Sequence, residues 1–85
     1  MFDLRYSEAA AKTLAKLSIR IARAVHGELV AIASGPRRYR GDWKPLHGSA
    51  YWRLRVGAYR AICEVCGNEL LILVLKIGAR GDVYK

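Results

Sequence analysis

Trp52-Arg53-Leu54-Arg55-Val56-Gly57-Ala58-Tyr59-Arg60 is the stretch on which the fold turns. Apolar and polar residues alternate on both sides of Gly57-Ala58, and a two-residue loop with glycine first marks a type II′ β-hairpin. The pairing predicts Val56 facing Tyr59 and Arg55 facing Arg60. Because side chains alternate with period two, Arg53, Arg55 and Arg60 share one face, while Trp52, Leu54, Val56, Tyr59, Ala61 and Cys63 share the other. Like charges directly opposite on neighbouring strands destabilise a sheet. Folding alone gives no reason to gather guanidinium groups there, whereas an anion over that face does. Solubility is the competing reason, since arginines on the wet face of a hairpin are ordinarily just solvated.

Downstream, the second hairpin strand runs from Tyr59 to Val65, and Gly67-Asn68 reads as a turn. The apolar run Leu70 to Ile77, broken by Lys76, returns antiparallel as a strand apolar on both faces, hence an interior strand covered on both sides. It is too short to cross a bilayer. Upstream, Phe2, Leu4 and Tyr6 alternate with Asp3 and Arg5, a short strand with one buried face. Ser7 is a good N-cap for a helix over Glu8 to Leu17, with Glu8 complementing the dipole in the first turn. After a bend at Ser18 or Ile19, Ile21, Val25, Leu29 and Ile32 recur at the spacing of an amphipathic helix, which Gly35-Pro36 ends. Residues 37 to 51 contain Gly41, Pro45 and Gly48 and no period, and read as a loop crossing the domain. Within it Tyr39 and Trp43 are either anchors to the body or stacking platforms for bases, with anchoring the commoner use of such aromatics.

The order β-α-α-β-β-β predicts a single α+β domain over residues 1 to 85. A helical hairpin packs on one face of an antiparallel-rich sheet, and the other face is left open and basic. A hydrophobic content of 53% with 26% charged residues is that of a globular chain.

The charge is concentrated. Of a net +8, residues 37 to 60 hold seven positive and one negative side chain. Such a patch points to phosphate or to an acidic protein partner. Membrane binding fits poorly, because neither helix combines a large apolar face with a dense basic one. The start Met1-Phe2-Asp3-Leu4-Arg5 lacks the layout of a secretion signal, which predicts a cytoplasmic protein. Cys63 and Cys66 are three apart on a strand and point to opposite faces, badly placed to share a metal, and neither His26 nor His47 lies at a recognised ligand spacing.

Three segments together resemble the RelE/ParE superfamily of bacterial and archaeal toxins, nearest its RelE branch. They are Pro45-Leu46-His47-Gly48, Tyr51 to Ile62, and Lys76-Ile77-Gly78-Ala79-Arg80-Gly81-Asp82-Val83-Tyr84. The resemblance implies a ribosome-dependent endoribonuclease that cuts mRNA in the ribosomal A site without metal or cofactor, held inactive by a RelB-like antitoxin. It implies basic residues at Arg53 and Arg55, often lysine in relatives, a phosphate-binding arginine at Arg60, an arginine after the last strand at Arg80, and a base-stacking tyrosine at Tyr84. Arg37, Arg38, Arg40, Lys44 and His47 are weaker candidates for holding substrate. A ParE-like inhibitor of DNA gyrase and an inactive RelE-fold binding module are the alternatives.

Cleavage of this kind is attack of the ribose 2′-OH on the adjacent phosphorus through a dianionic five-coordinate phosphorane, where fixed cations are the main lever. Arginine holds its proton above about pH 12, so Arg53 and Arg55 are poor proton acceptors. Glu64, on the arginine face but four residues from Arg60, and His47, just before the hairpin, are the remaining candidates for that step.

Overall fold

The hairpin forms in the register its sequence dictates. In the computed structural model, which describes residues 1–79, the strands Tyr51–Val56 (β3) and Tyr59–Cys66 (β4) pair antiparallel with Val56 opposite Tyr59 and Arg55 opposite Arg60. Gly57 carries φ +59 and Ala58 stays at negative φ, the sign pattern of a type II′ turn.

Earlier in the chain come β1 (Asp3–Tyr6), α1 (Glu8–Lys16), α2 (Ile19–Ser34) and β2 (Asp42–Pro45); β5 (Leu71–Ala79) follows β4 through a 3₁₀ turn at Gly67–Glu69. Ser7 begins α1 as expected, its Oγ accepting from the Ala10 amide at 3.0 Å. The same Oγ donates to the Leu75 carbonyl at 2.7 Å, and the Ser7 amide donates to Val74 at 2.8 Å, so one residue ties β1, α1 and β5 together. Ser18 caps α2 through the Ile21 amide, and α2 stops at Gly35.

The sheet has five strands in the order β1-β5-β4-β3-β2. Both helices lie on one side of it. Ala10, Val25, Leu29, Ile32 and Ala33 from the helices close a core with Leu54, Ala61, Cys63, Ile72, Val74 and Ile77. All of those sheet residues share the face that alternation assigned to Leu54. Among the described residues, no helix is long and apolar enough to cross a membrane.

Three features lie outside the sequence reading, and the first of them corrects it. Residues 42–45, read as loop, form edge strand β2, paired antiparallel with β3 so that Asp42 faces Arg55 and Lys44 faces Arg53. β1 pairs with β5 in parallel, with Leu4 opposite Ile72, so the sheet is mixed. The third is a β-bulge: Ile62 pairs with Lys76 but Cys63 pairs with Val74, leaving Leu75 as the extra residue on β5. Strict alternation from Ile72 and Val74 would turn Lys76 into the core. The bulge instead puts Ile77 in the core and Lys76 on the opposite face, so the second turn and its strand keep burial without swallowing a charge.

Candidate functional site

The face the helices leave bare is a grid of side chains fixed by register. One row across the sheet reads Asp42, Arg55, Arg60, Gly78, and the next reads Lys44, Arg53, Ile62, Lys76. Neighbours within a row are about 5 Å apart and the two rows about 7 Å apart. Arg53, Arg55 and Arg60 therefore do share one face, with Lys44 and Lys76 flanking them. An open cleft of about 500 Å³, lined by Arg55, Gly57, Ala58 and Arg60, sits at the end where the hairpin turns.

These cations are not equivalent. Arg55 is exposed, and its Nε makes one long 3.5 Å hydrogen bond to the Gly57 carbonyl. Arg53 is drawn down onto the sheet: its Nη2 donates to Asp42 Oδ1 at 2.9 Å, and only 16% of its side chain is exposed. The hydrogen bond from Arg53 holds the Asp42 carboxyl below the usual carboxylate range. Arg53 thus has an internal anion already, while Arg55 opens toward solvent. Ile62 lies between Arg53 and Lys76 and is only 7% exposed, an apolar floor beneath charged neighbours whose aliphatic stems flank it.

The other candidates lie elsewhere. Glu64 shares the face but stands opposite Tyr51 and Leu73, about 13 Å along β4 from Arg60. His47 is exposed in the turn that joins β2 to β3, at the end of the sheet away from Gly57-Ala58. Arg37 and Arg38 border an apolar hollow of about 500 Å³ with Phe2, Pro36, Trp52 and Val65, on the helix side of the sheet. Arg40 lies with Ala31, Ser34 and Arg38 beside the end of α2. Cations just past a helix C-terminus complement its dipole, which accounts for that cluster without a ligand. Arg80 and Tyr84, and the expectation that the tail sets them at the rim of the arginine face, lie outside the described residues.

Tyr39 and Trp43 are anchors. Tyr39 donates from its hydroxyl to Glu28 Oε1 at 2.6 Å, and burial, then that bond, push its phenol upward. A Cβ on Gly41 would collide with the Tyr39 ring, so a side chain there would displace the ring. Trp43 stacks on Trp52 with centroids 5.1 Å apart, on the helix side of the sheet. Cys63 is fully buried, which pushes its thiol up to about 12, and Cys66 points to the other face. Among the described residues, no three His, Cys, Asp or Glu side chains converge.

Two residues that the sequence reading passed over share the arginine face. Asp42 could have been found as the lone acid among the basic residues of 37 to 60. Lys76 could not, because period-two counting sends it to the core.

Residues 4–84 match the family model described as the ParE toxin of the type II toxin-antitoxin system parDE. No curated protein matches the sequence. The fold is similar to a chain of the archaeal RelE-RelB complex from Pyrococcus horikoshii, at 24% identity and TM-score 0.81, covering 95% of this chain and 97% of that one. It is similar to a chain of the RelBE2 toxin-antitoxin complex from Mycobacterium tuberculosis at 25% identity and TM-score 0.78, covering 95% and 93%. The YoeB/ParE toxin from Agrobacterium tumefaciens gives 16% identity and TM-score 0.78, covering 93% and 99%.

Proposed function

The chain belongs to the ParE toxin family of type II toxin-antitoxin systems, within the RelE/ParE superfamily, and on that premise we propose that it is a cytoplasmic, ribosome-dependent endoribonuclease. It cuts mRNA in the ribosomal A site by attack of a ribose 2′-OH on the next phosphorus, and a RelB-like antitoxin holds it inactive. The observation that carries this reading is the Arg55–Arg60 pair, opposed across a tight turn on the uncovered face and bordering one cleft. Two guanidinium forks in that position match the equatorial oxygens of a phosphorane, and each fixed cation is worth on the order of a hundredfold or more in rate.

Each side chain has a part in the reading. Arg55 and Arg60 hold the scissile phosphate. Arg53, restrained by Asp42, and Lys44 bind the neighbouring backbone. Arg80 is a further cation at the phosphate and Tyr84 stacks on a base beside the cut. The partner is inferred from the antitoxin complexes among the similar structures and from a net charge of +8, which an acidic, amphipathic segment would neutralise with counterion release.

A second reading is favoured by one finding: the matching family model is that of ParE, and a ParE-like chain inhibits DNA gyrase instead. Induced expression without antitoxin separates the two. The nuclease reading expects growth arrest with discrete cuts inside translated transcripts. Intact transcripts together with DNA-damage signalling at the point of arrest would reject it in favour of gyrase.

A further inference from the structure

The arginine grid supplies charge but no ready proton. When the 2′-oxygen attacks phosphorus, the P–O5′ bond breaks and its electron pair stays on O5′, which must be protonated to leave as a hydroxyl. A guanidinium keeps its proton above about pH 12 and is a poor donor. A lysine ammonium parts with its proton roughly two pH units lower, so the proton-transfer step selects for lysine.

We propose that Lys76 is the proton donor to the 5′-oxygen leaving group, an inference that rests on the nuclease reading above. Two observations carry it. The first is position. Lys76 lies on the strand next to Arg60 and one row away, about 8 Å between Cα atoms, as Lys44 does from Arg55, so position admits both lysines beside the arginine pair and the bulge singles out Lys76. The second is the bulge at Ile62/Cys63. Without it, Lys76 would face the core beside Val74. Bulges re-aim side chains and are over-represented next to active sites. This one turns the sole lysine of an apolar strand onto the arginine face, where it is exposed. Among the described residues, the charged groups on its face nearest to it are Arg60 and Glu64 from β4, Arg53 from β3 and, further along the sheet, Arg5 from β1.

The step balances without a co-reactant. The 2′-OH proton leaves to solvent, the 2′-oxygen bonds to phosphorus to give a 2′,3′-cyclic phosphate, and P–O5′ breaks. The Lys76 Nζ proton passes to O5′, and water reprotonates the amine.

The test uses ribosome-bound mRNA of two kinds, one ordinary and one with sulfur replacing the bridging O5′ at the mapped cut. A thiolate leaves without protonation, so the second mRNA does not need the donor. Wild-type protein should cut both. Lys76→Ala should cut the ordinary mRNA about a hundredfold or more slower and the sulfur-bridged one within a few-fold of wild type. Lys76→Arg, which keeps the charge, should show the same split. Equal slowing on both mRNAs would make Lys76 an electrostatic or structural residue, and unchanged cutting of the ordinary mRNA would give it no part; either overturns the assignment. Wild-type protein that leaves both intact overturns the nuclease reading, and this proposal with it.

Discussion

Arg53 and Arg55 are two residues apart on one strand, yet the sheet gives them different work. Arg53 donates a 2.9 Å bond to Asp42, whereas Arg55, opposite Asp42 in the ladder, is exposed and bonds the Gly57 carbonyl at 3.5 Å. An incoming phosphate meets Arg55 directly, whereas at Arg53 it competes with a carboxylate. Alternation alone placed both arginines on one face but could not rank them, because the partner sits on a strand the sequence does not announce. The pair makes a modest stability contribution, on the order of 0–1 kcal/mol because both groups are in part exposed. Its pH dependence follows from a depressed carboxyl. In the unfolded chain the aspartate titrates near 3.9, so the contribution is full above that value and is lost as pH falls through the lower folded value. We expect urea midpoints of wild type and Asp42→Asn to differ at pH 7 and to converge as pH falls through the depressed folded value of the carboxyl. A gap that persists or widens in acid would contradict the linkage.

At the scale of elements, the turn at Gly57-Ala58 sets the opposition of Arg55 and Arg60. Nothing lies within 4 Å of a Cβ built on Gly57, so the penalty for a side chain there comes from φ +59 alone. Gly57→Val should cost about 1–3 kcal/mol in chemical denaturation. It should also weaken RNA binding, since a splayed turn separates the two guanidinium groups. Unchanged stability would mean that the reversal does not depend on glycine.

This hairpin was fully legible, register included, because its cause is local. The helices were legible for the same reason: Ser7 and Ser18 cap them, and Val25, Leu29 and Ile32 all reach the core. What escaped was non-local. β2 is four residues bounded by Gly41 and Pro45 and exists because β3 offers it an edge. The parallel pairing of β1 with β5 joins opposite ends of the chain, and no nearby residue encodes it. The bulge opposite Ile62 changes the parity of β5, so period-two counting fails at Lys76, the position to which the proton donor is assigned.

Taken whole, the molecule divides its charge between two surfaces. The basic stretch 37 to 60 looks continuous in sequence, but the fold sends Arg37, Arg38 and Arg40 to the end of α2 and Lys44, Arg53, Arg55 and Arg60 to the open face. Covering one face with helices and leaving the other bare is what turns an ordinary α+β domain into a cationic plate, and the resemblance read from Pro45 to Tyr84 agrees with the superfamily to which the chain belongs. The shared face of Arg53, Arg55 and Arg60 was legible; the contact of Asp42 with Arg53 and the placement of Lys76 depend on β2 and on the bulge. The decisive measurement is a time course of mRNA on programmed ribosomes with purified wild-type protein and with Arg60→Ala. The account predicts a cut in the A-site codon leaving a 2′,3′-cyclic phosphate, slowed on the order of a hundredfold or more in the variant. Uncut mRNA with the wild-type protein, or equal cutting by the variant, would contradict it.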